Sequence, residues 1–264
     1  MKKLICILLS ALTLFAFTAC EFRVKKGEIA TAEDINEFLS DVEEYHSMTE
    51  EDFGITFTYT LENEEIGYYG SNSTNVKITG KASYSNGQLE DIQYKGTETD
   101  KETSHTAGGK EKDVYKITEE VVGLDVNEED PVYYVKYKLT NKTSYGEEKY
   151  SVKVKSAYRN EVELFGYIPT FDAVISKIKN SLKDIASYVV YFDGDDFVAI
   201  SSIYGKKNPS KTTLTVIADG DWIEAVKIET ESYNEKSVLE IKVKDSVEIK
   251  KPSKARDYEN IDKE

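Results

Sequence analysis

Residues 55–61 read ITFTYTL, with Ile55, Phe57, Tyr59 and Leu61 alternating with Thr56, Thr58 and Thr60. A period of two places successive side chains on opposite faces of an extended chain, so this is a strand with one apolar and one polar face. The pattern returns downstream, where Val76, Ile78, Ala82 and Tyr84 alternate with Lys77, Thr79, Lys81 and Ser83. Asn86-Gly87 then reads as a hairpin turn, because both residue types accept positive φ. Ile92 and Tyr94 continue on the return strand. Further strands are expected over 114–120, 132–140 and 150–156, the second with Tyr133, Val135, Tyr137 and Leu139 on one face. Between them, the polar stretch 97–112, with Gly108-Gly109, reads as a mobile loop.

Two helices interrupt the strands. Thr31 and Asp34 have the spacing of a capping box, in which each side chain satisfies a backbone N–H of the first turn. Ile35, Phe38, Leu39 and Val42 then fall on one helical face, and the helix is expected to end near His46 to Met48. Pro169 suits the first turn of a second helix. Its stripe is Phe171, Val174, Ile175, Ile178, Leu182 and Ile185. Strands resume over 188–192, 197–202, 214–218 and 222–230, joined through Asp193-Gly194 and Asp219-Gly220. In the last strand Leu239, Ile241, Val243, Val247 and Ile249 alternate with Glu240, Lys242, Lys244, Glu248 and Lys250, up to Pro252. The fold class expected is α+β: an antiparallel sheet of about 10–11 strands, polar on one side and covered on the other by two amphipathic helices.

The first residues give an address. Lys2 and Lys3 precede the apolar run LICILLSALTLFAF (residues 4–17), and Thr18, Ala19 and Cys20 follow. The run is short of the roughly 20 apolar residues that span a bilayer. A positive start, a short apolar core and small residues at the cut read as an export signal. The segment Phe17-Thr18-Ala19-Cys20 resembles a bacterial lipobox. That resemblance implies diacylglycerol on the Cys20 thiol and cleavage just before it. The expected organisation is a lipoprotein signal over 1–19, a lipidated tether over 20–31, one domain over 32–252 and a disordered acidic tail over 253–264. Two acyl chains hold a protein at a bilayer where one chain only visits. The address is a bacterial membrane, on the side facing out of the cytoplasm.

From Cys20 the chain has 245 residues (264 − 19) and a net charge of −17, from 32 bases (34 − 2) against 49 acids. That acidity argues against nucleic acid, which rewards a basic face. It also argues against flat adsorption to anionic lipid, leaving membrane contact to the attached diacylglycerol. Cys6 leaves with the signal and Cys20 carries lipid, so no disulfide is available and the fold rests on its apolar core.

The element order, the lipobox and the alternating last strand ending at Lys251-Pro252 together resemble the LolA/LppX-type lipoprotein superfamily. The resemblance covers residues 31–252. It implies a strongly curved sheet, an incomplete barrel, with the helices in its concavity, and an apolar cavity that carries lipids or lipoproteins. It implies no catalytic residues. One wall of such a cavity would be Phe171, Val174, Ile175, Ile178 and Leu182. The other would be Phe57, Tyr59, Ile78, Tyr84, Val135 and Tyr137.

Other constellations carry less. His46 and His105 are the two histidines, and neither sits beside a nucleophile in a known catalytic pattern. Asp193-Gly194-Asp195-Asp196 and Asp219-Gly220-Asp221 suit hairpin turns; a calcium loop would need its twelve-residue spacing and terminal Glu. The 19 tyrosines suit half-wet strands as well as a sugar- or peptide-stacking surface. No metal site or cofactor is expected, and no hydrolase or transferase chemistry. Two functions stay open. One is a non-catalytic carrier or sensor of an apolar ligand, a lipid or an acyl-bearing glycolipid. The other is a cell-surface interaction lipoprotein with a filled core.

Overall fold

The computed structural model describes residues 29–31, 33–34, 36–38, 40, 52–106, 109–126, 128, 131–157, 163–168, 170–183, 188–193, 196–203, 209–219 and 222–261. Asn86 (φ 49°) and Gly87 (φ 73°) adopt the left-handed conformations of a tight hairpin turn. That turn joins the second and third strands of a meander in which β1 (Phe53–Gly67), β2 (Gly70–Ser85), β3 (Gln88–Thr106), β4 (Gly109–Leu124), β5 (Val132–Thr143) and β6 (Gly146–Ser156) pair antiparallel in chain order. A 3-10 turn (Glu163–Tyr167) and a helix (Phe171–Lys183) then lead to the opposite edge of the sheet. From there β7 (Tyr188–Asp193), β8 (Asp196–Ile203), β9 (Ser210–Asp219), β10 (Trp222–Glu231) and β11 (Glu235–Lys244) return to the centre. The strand β11 pairs antiparallel with β1, Phe57 opposite Ile241 and Tyr59 opposite Leu239. The residual strand β12 (Glu259–Asn260) runs parallel to β6.

The α+β expectation, an incomplete barrel of 10–11 antiparallel strands under two amphipathic helices, is therefore corrected. The protein is mainly β, one open, mixed, twelve-stranded sheet in the order β12-β6-β5-β4-β3-β2-β1-β11-β10-β9-β8-β7. Helix is a minor part of it. The expected loop over 97–112 is the main source of the error. It forms the ends of β3 and β4, paired from Thr97–Thr118 through Thr106–Gly109. Its acids alternate with lysine or threonine rather than with apolar residues, so the two-residue period carries no apolar signal.

Register rows show how alternation sorts the charges. One row runs Thr79, Lys95, Glu120, Lys136, Lys153 across β2 to β6, and the next runs Lys77, Thr97, Thr118, Lys138, Ser151. These rows face outward. Their neighbours bring Lys101, Lys112, Lys116, Lys142 and Lys149 to the same side. On the described outward positions of these five strands the acids are Asp91, Glu120 and Glu147. The inward positions carry Glu98, Asp100, Glu102, Glu111, Asp113, Glu119 and Glu148, and no lysine. One side of this half-sheet is cationic and the other anionic.

The core fills the inner face. Ile55, Phe57, Ile78, Tyr94, Val121, Val135, Leu214, Val226 and Ile241 come from the sheet. Leu164, Ile168, Val174, Ile175 and Ile178 come from the crossover, and Phe38 from the N-terminal helical stretch. That stretch opens as expected, with Thr31 N–H donating to Asp34 Oδ2 at 2.7 Å and Asp34 N–H donating to Thr31 Oγ1 at 3.2 Å. Its expected end at 46–48 lies outside the described residues. The chain enters the sheet at the β7 edge, where Ala30 N–H donates to Val190 O at 3.0 Å.

The C-terminal segment also departs from expectation. Strand β11 ends at Lys244, not at Pro252. The chain then crosses the outer face, and the tail expected to be disordered is placed against it as far as Ile261. Lys81 Nζ donates to Glu248 O, the Tyr258 ring meets the Tyr134 ring edge-on at 5.4 Å, and Ile261 N–H donates to Lys155 O at 3.1 Å. Gly54 permits the crossing, since a Cβ there would sit 2.6 Å from the Val247 amide nitrogen. Gly54→Ala should therefore lift the segment and cost about 1–3 kcal/mol by overpacking. Limited proteolysis checks it: new cleavage within 246–258, with the rest of the sheet resistant, is expected. An unchanged digestion pattern and melting curve would refute the close crossing.

Candidate functional site

The residues named as cavity walls do meet. Phe57, Ile78, Tyr84 and Val135 of the sheet and Val174, Ile175 and Ile178 of the helix belong to one cluster, each between 0% and 4% exposed. Tyr59 and Tyr137 are half-buried at its margin. Phe171 and Leu182 lie in the helix, and their side chains are outside the described residues. Side chains lining a void large enough for a ligand would show exposed surface inside the molecule. The seven clustered side chains do not, each being at most 4% exposed. Close approach is built into the sequence by glycine. A Cβ on Gly96 would lie 2.5 Å from Leu164 Cδ1, and one on Gly80 would lie 2.5 Å from Phe57 Cζ and 2.6 Å from Gln93 O. Leu164 and Phe57 occupy the volume that those missing side chains leave.

Glu119 is a buried carboxylate that the sequence reading missed. It is 0% exposed, on an inward position between Ile117 and Val121. Its Oε2 accepts from Tyr94 O–H at 2.7 Å and from Leu164 N–H at 3.1 Å. The carboxylate thus ties β3 and β4 to the crossover. Burial pushes the Tyr94 phenol far above its usual range, and the Glu119 charge and hydrogen bond add to the shift. Tyr94 is a neutral donor at any ordinary pH. The signal was present in Ile117-Thr118-Glu119-Glu120-Val121, where the two-residue period sends Glu119 inward and Glu120 outward.

Among the described residues, grooves open on both sides of this core. On the inner side, a groove of about 310 Å³ opens where Tyr59, Tyr167, Val174, Lys177, Ile228 and Leu239 part. The Tyr59 and Tyr167 rings stack at 5.8 Å, and desolvation lowers the Lys177 ammonium from its usual value. On the outer side, a groove of about 740 Å³ runs between the sheet and the crossing segment. Its lining includes Lys81, Gln93, Lys95, Glu120, Tyr134, Lys250 and Tyr258. Glu120 pairs there with Lys136 at 2.8 Å and Lys95 at 3.1 Å, and those partners hold its carboxyl below the usual range.

His105 sits exposed on β3, away from the inner core. Among the described residues no three His, Cys, Asp or Glu side chains come together as a metal would require, and no helix is long and apolar enough to cross a membrane. The Asp-Gly turns at 193–196 and 219–221 fall partly outside the described residues. No family model matches the chain, and no curated protein matches it either.

Proposed function

We propose that this is a non-catalytic lipoprotein, held on the outer side of a bacterial membrane by diacylglycerol on Cys20, that works through its outer surfaces and not through an internal ligand cavity. The observation that carries this reading is the burial of the described wall residues within one cluster. An acyl chain needs a pocket of roughly 300–1,000 Å³, whereas Ile78, Val135, Ile175 and Ile178 are 0% to 4% exposed members of one buried cluster, which supports a filled core around them. The lipobox at Cys20 supports the address. The buried Glu119 is spent on holding the crossover, which leaves it no access to a substrate.

Ile175→Trp separates this reading from a carrier. In a filled core the added ring has no space, so the variant should lose about 1–3 kcal/mol of stability. Wild-type protein should fail to protect a fluorescent fatty-acid probe. Probe binding at one per chain, abolished by Ile175→Trp with the melting curve unchanged, would restore the internal cavity. A second reading rests on the 310 Å³ groove beside Tyr59 and Val174. A short apolar ligand there would be displaced by a bulky residue at Ala173, which lines that groove, and not by one at Ile175.

A further inference from the structure

We infer that the outer face of β2–β5 is a docking surface for an anionic lipid bilayer. The inference deepens the surface-acting reading above and uses its lipid anchor for proximity only. Lys77, Lys101, Lys112, Lys116, Lys138 and Lys142 stand on outward positions of four adjacent strands, and all six are exposed. With about 4.8 Å between strands and about 3.4 Å per residue along them, they cover roughly 14 Å by 20 Å. Threonines fill the positions between them: Thr97, Thr99, Thr103, Thr118 and Thr140. Such a surface offers ammonium groups and hydroxyl donors to phosphate oxygens over an area.

The chain's net charge of −15 does not prevent this. On β2 to β5 the outward acids are Asp91 and Glu120, and Glu248 and Asp257 of the crossing segment lie over Lys81 and Lys153, whereas Glu98, Asp100, Glu102, Glu111, Asp113 and Glu119 point to the opposite side. Charges separated by more than about 8 Å are screened at physiological salt, so a surface touching the lysines feels them and hardly feels Glu98, Asp100 or Asp113 behind the sheet. The expectation that acidity forbids flat adsorption treated the charges as mixed. Strand alternation separates them.

Two features favour a bilayer over a soluble polyanion. First, the free ends of the hairpins beside the lysines carry exposed Ile66, Tyr68, Tyr69 and Tyr145, from 75% to 92% accessible. Tyr at the headgroup level is interface chemistry, and a phosphate polymer has no use for it. Second, the chain joins the sheet at Ile29 on the β7 edge. Nine residues (29 − 20) separate Ile29 from Cys20, a reach of about 30 Å when extended. Six strand steps from β7 to β2 measure about 29 Å. The reach of the segment from Cys20 is thus comparable with the lateral distance to the lysine-bearing strands.

The test uses the chain from Cys20 to Glu264 carrying Cys20→Ser, so that no lipid is attached. It is mixed with vesicles of phosphatidylcholine alone, or with three-tenths phosphatidylglycerol, and sedimented. The expected result is binding to the anionic vesicles only, lost in 0.5 M salt. Each surface lysine contributes about 5-fold to partitioning. Replacing Lys101, Lys112, Lys116 and Lys142 by Gln should thus reduce binding by two orders of magnitude or more, at an unchanged melting temperature. Replacing Lys211 and Lys244 should leave it within 2-fold. Equal binding to both vesicle types, no binding at all, or binding to soluble polyphosphate but not to vesicles would each overturn the inference. None of these outcomes bears on lipidation of Cys20, which is read separately from the mass of the natural N-terminus.

Discussion

Glu119→Leu should lower the unfolding free energy by about 2–6 kcal/mol. Tyr94 O–H and Leu164 N–H both donate to this carboxylate, and Leu would leave both buried and unsatisfied. An orphaned buried donor costs about 1–3 kcal/mol. For a chain of this size each kcal/mol shifts the melting temperature by about 2–4 °C. Glu119→Gln keeps a carbonyl oxygen within reach of the same donors and should cost less than half as much. The ordering separates a hydrogen-bond role from simple packing. A Leu variant as stable as the wild type, or one equal to Gln, would show that the crossover is not held through this side chain.

Cys20→Ala should change location more than any other single substitution. Two acyl chains bind a bilayer persistently, each buried methylene adding about 0.8 kcal/mol. Without them the protein should either remain as the precursor, heavier by residues 1–19, or partition by its lysines alone. In the second case 0.5 M salt should release it, because the remaining attraction is screened. Cell fractionation with an intact-mass measurement distinguishes the outcomes. A protein that begins at residue 20, carries Cys20→Ala and still resists salt extraction would refute the anchor.

The strands with apolar-polar alternation were legible in the sequence: β1 from Ile55 to Leu61, the second half of β2 from Val76 to Tyr84, the Asn86-Gly87 turn and the return toward β1 through Leu239 and Ile241. The capping pair Thr31 and Asp34 was legible too, since its geometry is local. The ends of β3 and β4 were not. From Thr97 to Lys112 the alternation is of charge against charge, or of charge against threonine, and periodicity weighted by hydropathy passes over it. Missing those ends hid the sorted charges and made the sheet look smaller and the helices more prominent. Phe57, Ile78, Tyr84, Val135, Val174, Ile175 and Ile178 fall on buried faces, because helical and strand spacing fix direction. Spacing does not fix how far apart two faces stand. Gly80 and Gly96 bear on that distance, yet each reads as a turn or bulge signal when met inside a strand. Glu119 was hidden by its neighbour, since a Glu-Glu pair reads as solvent-facing until register assigns one to each side. The docking of the tail was invisible for another reason. It depends on contacts such as Tyr258 with Tyr134, more than a hundred residues apart.

One measurement addresses both the proposed lipid anchor and the proposed filled interior. The protein is extracted from its own membranes in a mild detergent, and its intact mass is taken before and after unfolding. The predicted result is a chain from Cys20 to Glu264 with covalent diacylglycerol, and no further lipid released on unfolding. A stoichiometric lipid that departs when the chain unfolds would contradict the filled interior, and a chain without diacylglycerol at Cys20 would contradict the anchor.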